Sequence, residues 1–199
     1  MGDRARFEIF SDAVFAVAIT LLVLNLPLGH VSGPLLNALA DRWPSFAAFG
    51  ISFVIVGCIW VSHFRLCRSV QHIDVELLFL NLALLMTIVL VPFGASLMAT
   101  FVTDPGFSAH LAAALFAGVM LLMGIAFTAV YLRVNAQLSP PAKQAARDRS
   151  RIAQLRDRTG LLANAVAVGL AFVSAQAVLI LISVVAVFYI VDQVITGLD

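Results

Sequence analysis

Six runs of mostly apolar residues, separated by short polar or turn-forming breaks, dominate the chain. A helix needs about 20 such residues to cross the hydrocarbon core of a bilayer. The runs predict spans near residues 7–28, 44–65, 75–102, 108–132, 159–174 and 177–195. Pro27 and Gly29 close the first, and Pro44 suits the opening turn of the second. The turn Asp104-Pro105-Gly106 separates the third from the fourth. The apolar stretch from Gly160 to Thr196 is too long for one ordinary span. It is divided near the polar interruption Ser174-Ala175-Gln176, which leaves a short fifth helix.

Composition sharpens this reading. Of 199 residues, 62% are hydrophobic and 12% charged, and the mean hydropathy is +1.03. Soluble domains carry roughly 25% charged residues, so the expected class is an all-α integral membrane protein with the lipid bilayer as its solvent. The net charge of +1 carries no signal for nucleic acid, and no soluble partner is inferred. Six spans place both termini on one side. Eleven of the twelve Lys and Arg residues then share that side, with Arg42 alone opposite. By the positive-inside rule the termini are cytoplasmic, as expected of a multi-pass protein of a bacterial-type plasma (inner) membrane.

The Arg-rich connection at residues 143–158 reads first as a solvated link that enforces topology, and second as an anionic-lipid contact or gating element. Residues 1–6 look superficially like the start of a signal peptide. Asp12 interrupts the apolar run and no small-x-small cleavage site follows Leu28, so the segment is kept as a helix. Cys58 and Cys67 lie nine positions apart on one predicted helix, roughly 13 Å along its axis and too far for a disulfide.

Enzymatic chemistry finds no footing. His30, His63, His72 and His110 are scattered, with no metal-ligand spacing, no Gly-x-Ser-x-Gly and no glycine-rich phosphate loop. Neither a cofactor nor a resident metal is expected. The potassium-filter sequence Thr-Val-Gly-Tyr-Gly is also missing, so no re-entrant carbonyl filter is expected.

The polar residues that remain are costly in lipid unless partnered. Arg6, Ser11 and Asp12 lie at the mouth of the first helix, Trp60 and His63 one turn apart on the second, and Asn81 near the start of the third. Helix capping by Ser11 or Asp12 with Arg6 snorkelling is the local account. A packed polar network pinning the first helix to its neighbours is the functional one. Thr20, the one hydroxyl between Ser11 and Ser32, would on local grounds bond the carbonyl four residues back. The first helix is apolar on every side, so periodicity does not say which face lines anything.

The run Arg6-x-x-x-Phe10-Ser11-Asp12 followed by Ala-Val-Phe-Ala-Val-Ala-Ile-Thr-Leu-Leu-Val-Leu closely resembles the first helix of the transmembrane protein 175 family of potassium channels, in its bacterial form. Trp60 with His63, and Asn81 followed by Pro92-Phe93, match the family's second and third helices. The last three helices agree in hydropathy alone. The resemblance implies a homotetramer in which four first helices surround a pore for potassium, with Val17 at the constriction, then Thr20 and Leu24, Leu21 close by and Ala13 widening the entrance. It also implies a structural network of Arg6, Phe10, Ser11, Asp12, Trp60, His63 and Asn81. Two positions depart from the pattern: Val17 replaces a larger side chain, and Asn25 stands where the family is often acidic. The rival reading is a secondary transporter or proton-coupled carrier. It is weakened because every Asp, Glu, Lys and Arg falls near a predicted helix end or loop. A membrane scaffold that passes nothing is a third reading.

Overall fold

A computed structural model of the chain describes residues 2–26, 34–104, 106–138 and 159–197. It is all helical among these residues: α1 (Asp3–Leu21) with a closing 3-10 turn (Leu22–Asn25), α2 (Leu35–Ala40), α3 (Trp43–Cys67), α4 (Val75–Phe101), α5 (Phe107–Ala136), α6 (Thr159–Leu170) and α7 (Ala175–Gly197). Four of them are long and apolar enough to cross a membrane: α1 with its 3-10 turn, α3, α4 and α5. The apolar stretches Thr159–Leu170 and Ala175–Val191 fall below that length. The expected stop at Pro27 and Gly29 and the Arg-rich connection at 143–158 lie outside the described residues, as does the Asn25 side chain.

Local chemistry explains most of the helix ends. Asp74 caps α4, its carboxylate accepting from the Leu77 N–H at 2.8 Å. Ser174 opens α7 in the same way, accepting from the Ala177 N–H at 3.2 Å after the turn that ends α6. Pro44 occupies the first turn of α3, where its missing N–H costs nothing. α1 starts at Asp3, four residues before the apolar run, because Arg4 and Glu8 form an i,i+4 ion pair of 2.9 Å that carries the helix outward. The short α2 went unanticipated: six residues are too few to show a period.

α4 is central, lying against α1, α3 and α5. Its Gly94 permits close approach to α5, since a Cβ there would meet Phe116 Cδ2 at 3.2 Å and Phe116 Cα at 3.5 Å. α7 packs on α3 and α5. His110, in the first turn of α5, donates its Nδ1–H to the Ala171 carbonyl at the end of α6 (2.7 Å). At the other end of α5, Arg133 bonds the Asp74 carboxylate and pairs with Glu76 at 3.0 Å. Gln137 accepts from the Gln71 and His72 N–H groups and donates to the His72 carbonyl. The α3–α4 loop is therefore clasped to α5. The Leu77 N–H, then Arg133, hold the Asp74 carboxyl below the usual carboxylate range.

Candidate functional site

One face of α1 is buried against the bundle: Phe7, Ser11, Phe15, Ala18 and, at the turn, Leu22. Spacings of four, four, three and four keep these residues on one stripe. In a lipid-embedded bundle apolar surface alone gives little reason for one rotation of a helix over another, because lipid is as apolar as leucine. Here polar groups supply the reason.

Ser11 is fully buried, Asn81 is 2% exposed and His63 1%. The Asn81 amide donates to Ser11 Oγ at 3.0 Å, and Ser11 donates to the Phe7 carbonyl at 2.9 Å. With its NH₂ turned to Ser11, Asn81 presents Oδ1 to His63 Nε2 at 2.9 Å, so Nε2 must carry the proton. His63 Nδ1 is then an acceptor, facing the Cys67 thiol at 3.6 Å. Every bond thus runs one way, from Cys67 through His63, Asn81 and Ser11 to the backbone of α1. Phe7 and Phe15 flank the imidazole with ring centroids 6.1 and 5.5 Å away. α1, α3 and α4 are fastened at one point without a formal charge in the chain of bonds.

A second contact lies toward the surface. Trp60 Nε1–H donates to Asp12 Oδ1 at 2.9 Å, tying α3 to α1 one turn from His63. Of the seven residues expected to form a network, these contacts join Ser11, Asn81 and His63 as one unit and Trp60 with Asp12 as another. Arg6 and Phe10 are exposed and stand apart. With Ala13, Leu78 and Leu82 they line an open groove of about 810 Å³ beside α4. Sequence reasoning did not include Cys67, Phe7 or Phe15. The signals were present: Phe7, Ser11 and Phe15 recur every four residues, and Cys67 is one turn beyond His63.

The other stripe of α1 behaves differently. Ala13, Val17, Thr20, Leu21 and Leu24 are all exposed on the single chain, Val17 at 55% and Leu24 at 70%. They lie on the exposed side of α1, with Ala13 at the groove beside α4 and Leu24 at a separate pocket formed with α3 and α4. Thr20 does bond its own backbone, but to the Val17 carbonyl three residues back (2.8 Å) rather than four. Its hydrogen is committed there, and the Oγ lone pairs stay available on the exposed side.

The chain is similar to known proteins over most of its length. The family model described as endosomal/lysosomal potassium channel TMEM175 matches residues 6–92. A potassium channel of Streptomyces collinus is 38% identical over 198 residues, covering 98% of this chain and 95% of that protein. The human endosomal/lysosomal proton channel TMEM175 is 34% identical over 106 residues, half of this chain and 20% of that protein. Among solved structures, the crystal structure of a lysosomal potassium-selective channel TMEM175 homolog from Chamaesiphon minutus matches with a TM-score of 0.80 at 32% identity. The match covers 97% of this chain and 99% of that one.

Proposed function

The chain belongs to the TMEM175 family, and from that premise we propose that it is a potassium-permeable channel in which ions move passively through a central pore lined by α1. The observation that carries the reading is the division of α1 into a fastened face and a free face. One chain supplies one such helix, which encloses nothing. Four copies about a four-fold axis would bring Val17, Thr20 and Leu24 together, with Leu21 beside them and Ala13 at the wider entrance. Val17 and Leu24 then form an apolar neck that shuts by dewetting when narrow. Thr20 Oγ, its hydrogen already given to Val17, offers lone pairs in partial replacement of hydration water. K⁺ sheds water more readily than Na⁺ and gains more from so modest a site.

The topology belongs to the same proposal. The four long helices are joined by α6 and α7 as fifth and sixth spans, with both termini cytoplasmic in a bacterial-type inner membrane. K⁺ is the permeant ion rather than a resident cofactor, and the protein is no enzyme. Arg6, Phe10, Ser11, Asp12, Trp60, His63 and Asn81 serve the structure around the pore. A carrier mechanism is not favoured, since the similar proteins are described as channels.

The test is Thr20→Ala in planar bilayers. The variant should assemble normally and show a lower K⁺/Na⁺ permeability ratio from its reversal potential. An unchanged ratio in an intact assembly would reject the role given to Thr20.

A further inference from the structure

α3 carries polar side chains on two sides at the same depth. His63 turns to α1 and α4, while its neighbour Ser62 and, one turn earlier, Cys58 turn to a separate cavity between α3, α5, α6 and α7. The cavity measures about 30 Å³ and is lined by the polar residues Cys58, Ser62, Thr128, Asn164, Tyr189 and Gln193 among apolar neighbours, with no charged side chain.

The hydrogen-bond account of these residues does not close. Ser62 donates to the Cys58 carbonyl (2.9 Å) and Thr128 to the Gly124 carbonyl (2.8 Å), so both spend their hydrogens on their own helices. The Gln193 amide nitrogen donates to Ser62 Oγ at 2.8 Å and lies 3.4 Å from the Cys58 carbonyl. Its oxygen, Oε1, is buried and bonded to nothing among the described residues. Asn164 on α6 is 8% exposed and lines the same cavity, and its side chain also finds no partner among the described residues. Two amides between apolar helices are left with unmet donors and acceptors. Neither lipid nor the neighbouring leucine and phenylalanine can satisfy them.

We propose that this cavity is a hydration site, holding one or two ordered water molecules that bridge Asn164 on α6 to Gln193 on α7 and dock both helices on α3 and α5. The size fits: about 10–15 Å³ admits one water. The chemistry fits as well, because the ligand must donate to Gln193 Oε1 and both donate to and accept from Asn164. Without a carboxylate in the lining, a neutral molecule is favoured over a cation. The site is independent of the pore reading and would stand if α1 lined nothing.

The sign of a stability change tests it. In the full chain purified in detergent, Asn164→Leu strands the water's other contacts and should lower the unfolding midpoint by about 3 °C or more, and Gln193→Leu should do likewise. The double variant replaces the polar site with apolar bulk and should fall by clearly less than the sum. A single variant that keeps or raises the midpoint would mean a dry cavity and overturn the proposal. If either variant fails to fold, a high-resolution structure of the unsubstituted protein decides. Density within hydrogen-bonding range of both amides supports the proposal, and an empty or lipid-filled cavity rejects it.

Discussion

The two faces of α1 run the same length of the same helix and differ in what fixes them. Toward α3 and α4, the stripe from Phe7 to Leu22 is buried and carries Ser11, which joins Asn81 and His63 in a one-way chain of hydrogen bonds. On the far side, Ala13, Val17, Thr20 and Leu24 are exposed, and the one hydroxyl among them bonds only its own helix. Apolar side chains alone would let a helix in lipid roll about its axis. The polar chain prevents the roll, and so decides which residues the opposite face presents. In the proposed pore, the residues that would meet an ion are aimed by residues that would not touch one.

Substitutions should therefore have very unequal effects on the two faces. Asn81→Leu should do most, because it strips His63 Nε2–H and Ser11 Oγ of their partner together. We expect a loss of about 2–3 kcal/mol in detergent unfolding, and loss of ion flux as α1 turns from its set orientation. A smaller change follows from Trp60→Phe, which removes the more exposed bond to Asp12: about 0.5–1 kcal/mol by the same measurement. Acid should act on the clasp between α4 and α5. The Asp74 carboxyl titrates lower in the folded protein than in the unfolded chain, so its contribution is complete above the ordinary carboxylate range and is lost as pH falls below about 4. Unfolding midpoints measured from pH 6 to 3 should show that loss, and Asp74→Asn should flatten it. The least effect on stability belongs to Val17→Ala on the free face, within about 0.5 kcal/mol. Single-channel conductance should nevertheless rise as the neck widens. A Val17→Ala loss as large as that of Asn81→Leu would erase the distinction between the faces.

How far the chain could be read in advance follows the same division. Ser11, His63 and Asn81 were legible because a polar group in lipid must find a partner, and few partners were available. Pro44 declared its helix start through proline chemistry, whereas the Asp74 cap of α4 appeared only in the structure. The rotation of α1 was not legible, since residues of one apolar character surround it and the buried stripe appears only when α3 and α4 are in place. Asn164 and Gln193 were hidden for a different reason. They lie on separate helices and meet at one cavity only through tertiary packing, so no spacing in the sequence links them. Thr20 was read correctly as bonding its backbone but to the wrong carbonyl, a difference of one residue.

The orientation of α1 is the central claim, and solvent access along it is the direct measure. Leu24→Cys and Phe15→Cys variants can be reconstituted in bilayers and treated with a charged, water-soluble thiol reagent, with the unsubstituted chain as control for Cys58 and Cys67. The account predicts that the reagent blocks potassium current in Leu24→Cys and leaves Phe15→Cys and the control unaffected. Block of Phe15→Cys with Leu24→Cys untouched would show the opposite face of α1 turned to the ions and contradict it.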